Sequence, residues 1–390
     1  MRKFLKWVGI VCLGLVLVIG AAALWKREEI NRLLAVNSLF YTDKIVANFS
    51  NMRGAFLHQS LPRGDGPVSP MPASPSPYTL TSDQMAWLTD DNATSFLVLK
   101  DGAVVFEDYY QGTTPDDLRI SWSMAKSYLS VLFGMMIDQG HIASLDDPVV
   151  TYAPALATSA YQSATIRNVL QMSSGVAFDE DYFDPNSDIN KMGRVLALGG
   201  SMDDFSTAIT ETKRPAGARF QYVSIDTHVL GMVLRGATGQ SLSDLMTTHV
   251  IAPLGLEADP YYVTDGYGVA FALGGLNLRT RDYARFAQMV AQRGEWQGTQ
   301  IVPQDWIDAS ITPSARTDPG SIRYGYQWWI PQIYGPGEVL AIGVYGQYIY
   351  INQTENVVIV RTASDHDFRK DAVQQRAYAM FQSIAQDLAQ

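Results

Sequence analysis

Ser121-Trp122-Ser123-Met124-Ala125-Lys126-Ser127 opens the most apolar stretch of the chain after residue 28, and its reading decides the fold. Leu129, Val131, Leu132, Phe133, Met135, Met136 and Ile137 follow, apolar nearly all round a helix, so the spacing predicts a deeply buried helix over residues 120–139 with Gly140 as its C-terminal stop. On a helix, residues three apart share one face, which brings the Ser123 hydroxyl to the Lys126 amine. Burial disfavours the ammonium form and turns Lys126 into a usable base near neutral pH. A serine at the N-terminal end of a helix also presents its own backbone N–H where an oxyanion is stabilised. A Ser-x-x-Lys match arises by chance about once in a chain of this size. The alternative reading is a lysine that snorkels from a core helix beside a capping serine.

Outward from this helix, two further segments bear on the choice. Phe220-Gln221-Tyr222-Val223-Ser224-Ile225-Asp226 precedes a helical run through Gly231 and Leu234, and Ala341-Ile342-Gly343-Val344-Tyr345-Gly346-Gln347 leads into a hairpin near the C-terminus. That hairpin joins residues 347–351 to residues 357–361. A first hairpin pairs residues 95–99 with 103–107 around Lys100-Asp101-Gly102. Residues 368–388 carry Ala372, Ala377, Met380, Phe381, Ile384 and Leu388 near helical spacing, an amphipathic closing helix, and residues 282–292 also read as helix. The expected architecture is α+β: an antiparallel sheet built from both chain ends, flanked by helices, with a mainly helical region inserted between.

Ser-x-x-Lys, a tyrosine about a hundred residues on, and a glycine-containing strand stand in the motif order of the serine β-lactamase and penicillin-binding-protein superfamily. From about Tyr78 onward the chain resembles its class C-type esterase branch, and most of all the 6-aminohexanoate-dimer (nylon-oligomer) hydrolase-like proteins. Leu145-Asp146-Asp147-Pro148, Gln171-Met172-Ser173-Ser174-Gly175 and Gly274-Gly275-Leu276-Asn277 add to the likeness. The resemblance implies a β-lactamase/transpeptidase-like fold and a serine hydrolase working through an acyl-enzyme. It implies Ser123 as nucleophile, Lys126 as base and Tyr222 as proton relay. The backbone N–H groups of Ser123 and Val344 would form the oxyanion hole, with Ser224, Gly343 and Tyr345 in substrate binding. Two departures narrow the substrate. Ala341 stands where the superfamily carries Lys or His, removing a cation that helps hold a substrate carboxylate, and Ser224 replaces the Asn of the second motif. An ester or uncharged linear amide is therefore expected ahead of a β-lactam or D-Ala-D-Ala peptide. A D-Ala-D-Ala-type peptidase, or an inactive cell-envelope binding protein on the same scaffold, is the alternative.

The 390 residues are 47% hydrophobic and 17% charged, enough for one large domain or two smaller ones with a substantial core. A net charge of −10 argues against a nucleic-acid partner. The single cysteine, Cys12, permits no intrachain disulfide, and five scattered histidines suggest no metal; no cofactor is expected. Asp179-Glu180-Asp181-Tyr182-Phe183-Asp184 lacks the glycine of a calcium loop and reads as a solvated loop at the rim of a cleft. His228 follows Tyr222, but without a Gly-x-Ser-x-Gly elbow a Ser-His-Asp triad is not indicated.

Residues 7–25 carry no charge, and a helix of that length spans roughly 28 Å, about one bilayer core. With Arg2, Lys3 and Lys6 before it, residues 1–28 read as an inner-membrane anchor. The rest of the chain would lie on the periplasmic or extracellular side, or be secreted if Ala21-Ala22-Ala23 is a cleavage site. Residues 29–77 read as a partly helical stalk or strap ending in an arm with six prolines over residues 61–77, and residues 78–390 as the hydrolase domain.

Overall fold

The computed structural model describes residues 2–390. Met1 and the side chains of Arg2, Lys3, Ala22 and Ala23, on which part of the basic flank and the possible cleavage site were read, lie outside the described residues.

The strands run β1 (Leu57–Ser60), β2 (Ala93–Lys100), β3 (Ala103–Tyr109), β4 (Arg119–Ile120), β5 (Tyr261–Thr264), β6 (Leu276–Leu278), β7 (Glu295–Trp296), β8 (Thr299–Gln300), β9 (Arg323–Tyr324), β10 (Trp329–Ile330), β11 (Glu338–Gly343), β12 (Gln347–Asn352) and β13 (Val357–Ala363). Seven of them form an antiparallel sheet in the order β3-β2-β13-β12-β11-β10-β9, so strands from early and late in the chain meet at the β2–β13 pair. The first hairpin turns as its sequence demands: Asp101 and Gly102 both hold positive φ, 52° and 79°, the two-residue turn whose twist matches the strands.

Side chains alternate strictly across this sheet. Leu97, Leu99, Ile349, Ile351, Val358 and Val360 join the main core, while Phe96, Val98, Tyr348, Tyr350, Val357 and Ile359 meet the C-terminal helix Asp371–Leu388. Both faces are covered, which is why these strands read as continuous apolar runs. The helix Thr280–Ala291 packs on the main-core side against β2, β12 and β13. The largely helical stretch between β4 and β9 carries the helices Ala125–Asp138 and Ile225–Thr238 and two strands, β5 and β6, of a second sheet ordered β1-β5-β6-β4. β4 ends one residue before Ser121, whose N–H continues the pairing to the Leu276 carbonyl at 2.7 Å.

Two expectations need correction. The buried helix begins at Ala125 rather than residue 120: residues 119–120 are strand, and Trp122–Met124 is a single 3₁₀ turn. Pairing of β4 with β6 claims the backbone that a longer helix would have used. Second, core packing does not start near Tyr78. Leu39, Ile45, Phe49, Met52, Phe56 and Leu61 are buried in the main core, and β1 pairs with β5 along its length. The proline-rich arm after β1 lies along the domain, with Ser69 N–H bonded to Gly255 and Tyr78 N–H to Val105, both 2.8 Å. Ahead of this strap, the helix Arg2–Trp25 contains one window, Phe4–Ala21, long and apolar enough to cross a membrane, at mean hydropathy 2.3. Its described side chains are exposed, Leu17 by 64% and Ile19 by 65%, so the domain core makes no use of them.

Candidate active site

Three elements converge on one cleft of about 290 Å³: the turn Trp122–Met124, the loop before the helix Ile225–Thr238, and the end of β11. The Lys126 amine, on the first turn of the buried helix, donates to Ser123 Oγ at 2.9 Å and to the Leu273 carbonyl at 2.7 Å. The tight turn brings these two side chains together, since i and i+3 eclipse in 3₁₀ geometry. Lys126 is 1% exposed, and burial lowers its pKa from 10.5 to about 7, the carboxylates of Glu180 and Asp226 acting in the opposite direction. Burial thus favours the free-base amine, which lies within reach of the Ser123 hydroxyl proton.

Tyr222 is half-buried, with its ring tilted at 34° on Trp329 (4.9 Å between centroids) and 5.3 Å from the Lys126 amine. Burial raises its phenol pKa and Glu180 raises it further, while the Ser123 and Ser224 hydroxyls lower it, so the phenol stays protonated at neutral pH. Gly343 ends β11 hard against the Trp122–Met124 turn. A Cβ there would stand 2.6 Å from the Ser121 carbonyl and 3.1 Å from Trp122 Cβ, so only glycine lets the strand and the serine approach this closely. Val344 follows it on the cleft wall.

Ser123, Tyr222, Gly343 and Val344 all line the cleft, with Lys126 directly beneath. Ser224 and Tyr345 do not line it. The Ser224 side chain and N–H both bond to the Glu180 carboxylate, and Tyr345 packs behind the cleft wall, on Phe40 at 5.0 Å and on the cleft residue Phe368 at 4.8 Å. The acidic stretch carries a residue the sequence reading did not single out. Glu180 lines the cleft, accepts from Tyr182 at 2.8 Å, and ties its loop to the start of the Tyr222 helix. Nothing local in Asp-Glu-Asp distinguishes the inward carboxylate from its two solvated neighbours; only the approach of Ser224, 44 residues on, does. Arg369 adds a cation to the rim, paired with Asp181 at 3.5 Å. His228 pairs instead with Asp203 at 2.8 Å, and neither lines the cleft. A slightly larger cavity of about 370 Å³ near Asp308 and Glu338 contains no serine or lysine, so chemistry rather than size marks the site.

The Beta-lactamase family model matches residues 90–382. The 6-aminohexanoate-dimer hydrolase of Paenarthrobacter ureafaciens is 30% identical over 315 residues, covering 75% of this chain and 80% of that protein. Among solved structures, a Bacillus anthracis protein described as a candidate 6-aminohexanoate-dimer hydrolase superposes with a TM-score of 0.80 at 24% identity, covering 90% of this chain and 96% of its own. A penicillin-binding protein of Bacillus halodurans gives a TM-score of 0.60 at 17% identity, over 76% and 99% of the two chains. The fold is therefore of the β-lactamase/transpeptidase type, and the chain belongs to the beta-lactamase family of serine hydrolases, acting on amide or ester bonds.

Proposed function

We propose that Ser123 is the nucleophile of an acyl-enzyme mechanism acting on an ester or an uncharged linear amide. The observation that carries this reading is the buried Lys126 amine, 2.9 Å from Ser123 Oγ, with its pKa lowered to about 7. Ser123 Oγ attacks the carbonyl carbon while its proton passes to the neutral Lys126 amine. The resulting oxyanion accepts from the N–H groups of Ser123 and Val344, where loss of one donor typically costs ~3–4 kcal/mol. Tyr222, held protonated, hands its proton to the departing alcohol or amine and is recharged from Lys126. Water then attacks the acyl carbonyl, giving its proton back along the same path and freeing Ser123.

The substrate class is supported by Ala341, which offers no cation at the strand, and by the pairing of Arg369 with Asp181. The Paenarthrobacter relative is named for hydrolysis of a 6-aminohexanoate dimer, which supports an amide as the bond cleaved. The helix Arg2–Trp25 would hold the domain at the outer face of the inner membrane, the basic N-terminal flank remaining inside. Hydrolysis of a short p-nitrophenyl ester by the protein and by its Ser123→Ala variant tests the chemistry. Turnover lost in the variant is expected. Equal rates in both, or serine-phosphonate labelling that survives Ser123→Ala, would overturn the assignment. Recovery in the membrane fraction, lost on removing residues 2–25, is expected of the anchor.

A further inference from the structure

Trp122 and Tyr345 hold left-handed backbone conformations, with φ of 42° and 60°. Bulky residues seldom adopt this region, and where they do, the surroundings must over-determine them. Their positions are telling: Trp122 directly precedes Ser123, and Tyr345 directly follows Val344. The same two rings grip both. Phe40 stacks on Tyr345 (5.0 Å, 11°) and lies 5.8 Å from Trp122, while Phe49 meets Trp122 edge-on at 5.5 Å and Tyr345 at 5.6 Å. Phe40 and Phe49 also touch each other at 6.2 Å. The strap that carries them is fastened from beneath. Arg119 of β4, fully buried, donates to the Val46 carbonyl at 2.7 Å and to Ser50 Oγ at 2.9 Å, with its guanidinium 5.9 Å from the Phe49 ring.

We propose that Phe40 and Phe49 are positioning residues: by clamping Trp122 and Tyr345 they hold the peptide planes on either side of the reacting carbonyl and aim the N–H groups of Ser123 and Val344. The proposal rests on the oxyanion-hole reading above. Neither phenylalanine lines the cleft, so neither touches substrate. The segment that links the N-terminal helices to the domain is thereby part of the catalytic geometry.

Phe40 is the residue to change, because it is 39% exposed and its loss leaves the core closed. In the full chain, Phe40→Ala should lower kcat for a p-nitrophenyl ester by about tenfold, a modest share of what misplacement by an ångström can cost. KM should stay within about twofold and the melting temperature should be unchanged. Phe40→Trp, which keeps a ring, should restore kcat. In a Tyr345→Gly background glycine takes positive φ without a clamp, so Phe40→Ala should have a smaller effect there. Phe49→Leu, keeping buried volume but no ring, should lower kcat in the same way. An unchanged kcat in Phe40→Ala, a change confined to KM, or a loss that tracks the melting temperature and is not rescued by Phe40→Trp would overturn the clamp while leaving the serine mechanism intact. Turnover retained in Ser123→Ala would instead overturn the reading beneath it.

Discussion

Replacing Lys126 with methionine should abolish activity and stabilise the fold. The amine is 1% exposed, and its pKa falls from 10.5 to about 7 because burial penalises the ammonium. In the unfolded chain the lysine titrates near its ordinary value of about 10.4. Between those two values the unfolded state binds more protons, so native stability rises with pH across that window, and the cost of burying the amine is present in full below pH about 7. At about 1.4 kcal/mol per pH unit, the difference amounts to about 5 kcal/mol. Methionine fills nearly the same volume without that cost, but leaves the Leu273 carbonyl without its 2.7 Å donor, a loss of ~1–3 kcal/mol. The net expectation is a variant about 2–4 kcal/mol more stable near pH 7, which at this chain length raises the melting temperature by ~2–5 °C. Loss of the base should lower kcat by ~10²–10⁴. Urea unfolding at pH 7 and pH 9.5, beside ester hydrolysis, reads both effects, and the stability advantage of Lys126→Met should shrink at the higher pH. A variant destabilised at both pH values, or one whose advantage ignores pH, would refute the picture of a desolvated neutral lysine.

Glu180 favours the charged form of Lys126, so Glu180→Gln should move the acid limb of the kcat/KM profile from near pH 7 to lower pH; a limb that stays in place or moves up in stopped-rate assays from pH 5 to 9 counts against the coupling. Gly343→Ala would push a methyl against the Ser121 carbonyl at 2.6 Å, and separation of β11 from the Trp122–Met124 turn should cost ~10²-fold in kcat. Near-normal turnover of that variant in the p-nitrophenyl assay would show that the strand can retreat without moving the site.

Much of this molecule was legible locally. Asp101-Gly102 fixes its own hairpin, the apolar run from Leu129 to Ile137 demands burial, and Lys126 stands three residues ahead of that run on the same helix. These follow from neighbours along the chain, which a sequence displays directly. The strap's place in the core was not legible. Residues 29–61 lack a long clean apolar period because the helix Ile45–Phe49 is only five residues long, and Ile45, Phe49 and Met52 are buried against partners from β4 and the Trp122–Met124 turn some seventy residues or more away. The helix start was misplaced for a related reason, since residues 119–120 find backbone partners in β6, which propensity cannot see.

What the sequence by itself determined was the Ser-x-x-Lys pairing and the order of the motifs, because Ser123 and Lys126 meet across a single turn. Only the tertiary structure decided which groups tune them. Glu180 faces the cleft while Asp179 and Asp181 face solvent, Ser224 serves the loop rather than the cavity, and Tyr345 points to Phe40. Those choices depend on which distant backbone stands opposite each side chain. The cost of burying a charge or a peptide group is set by that opposite partner, not by the residue's neighbours in the chain.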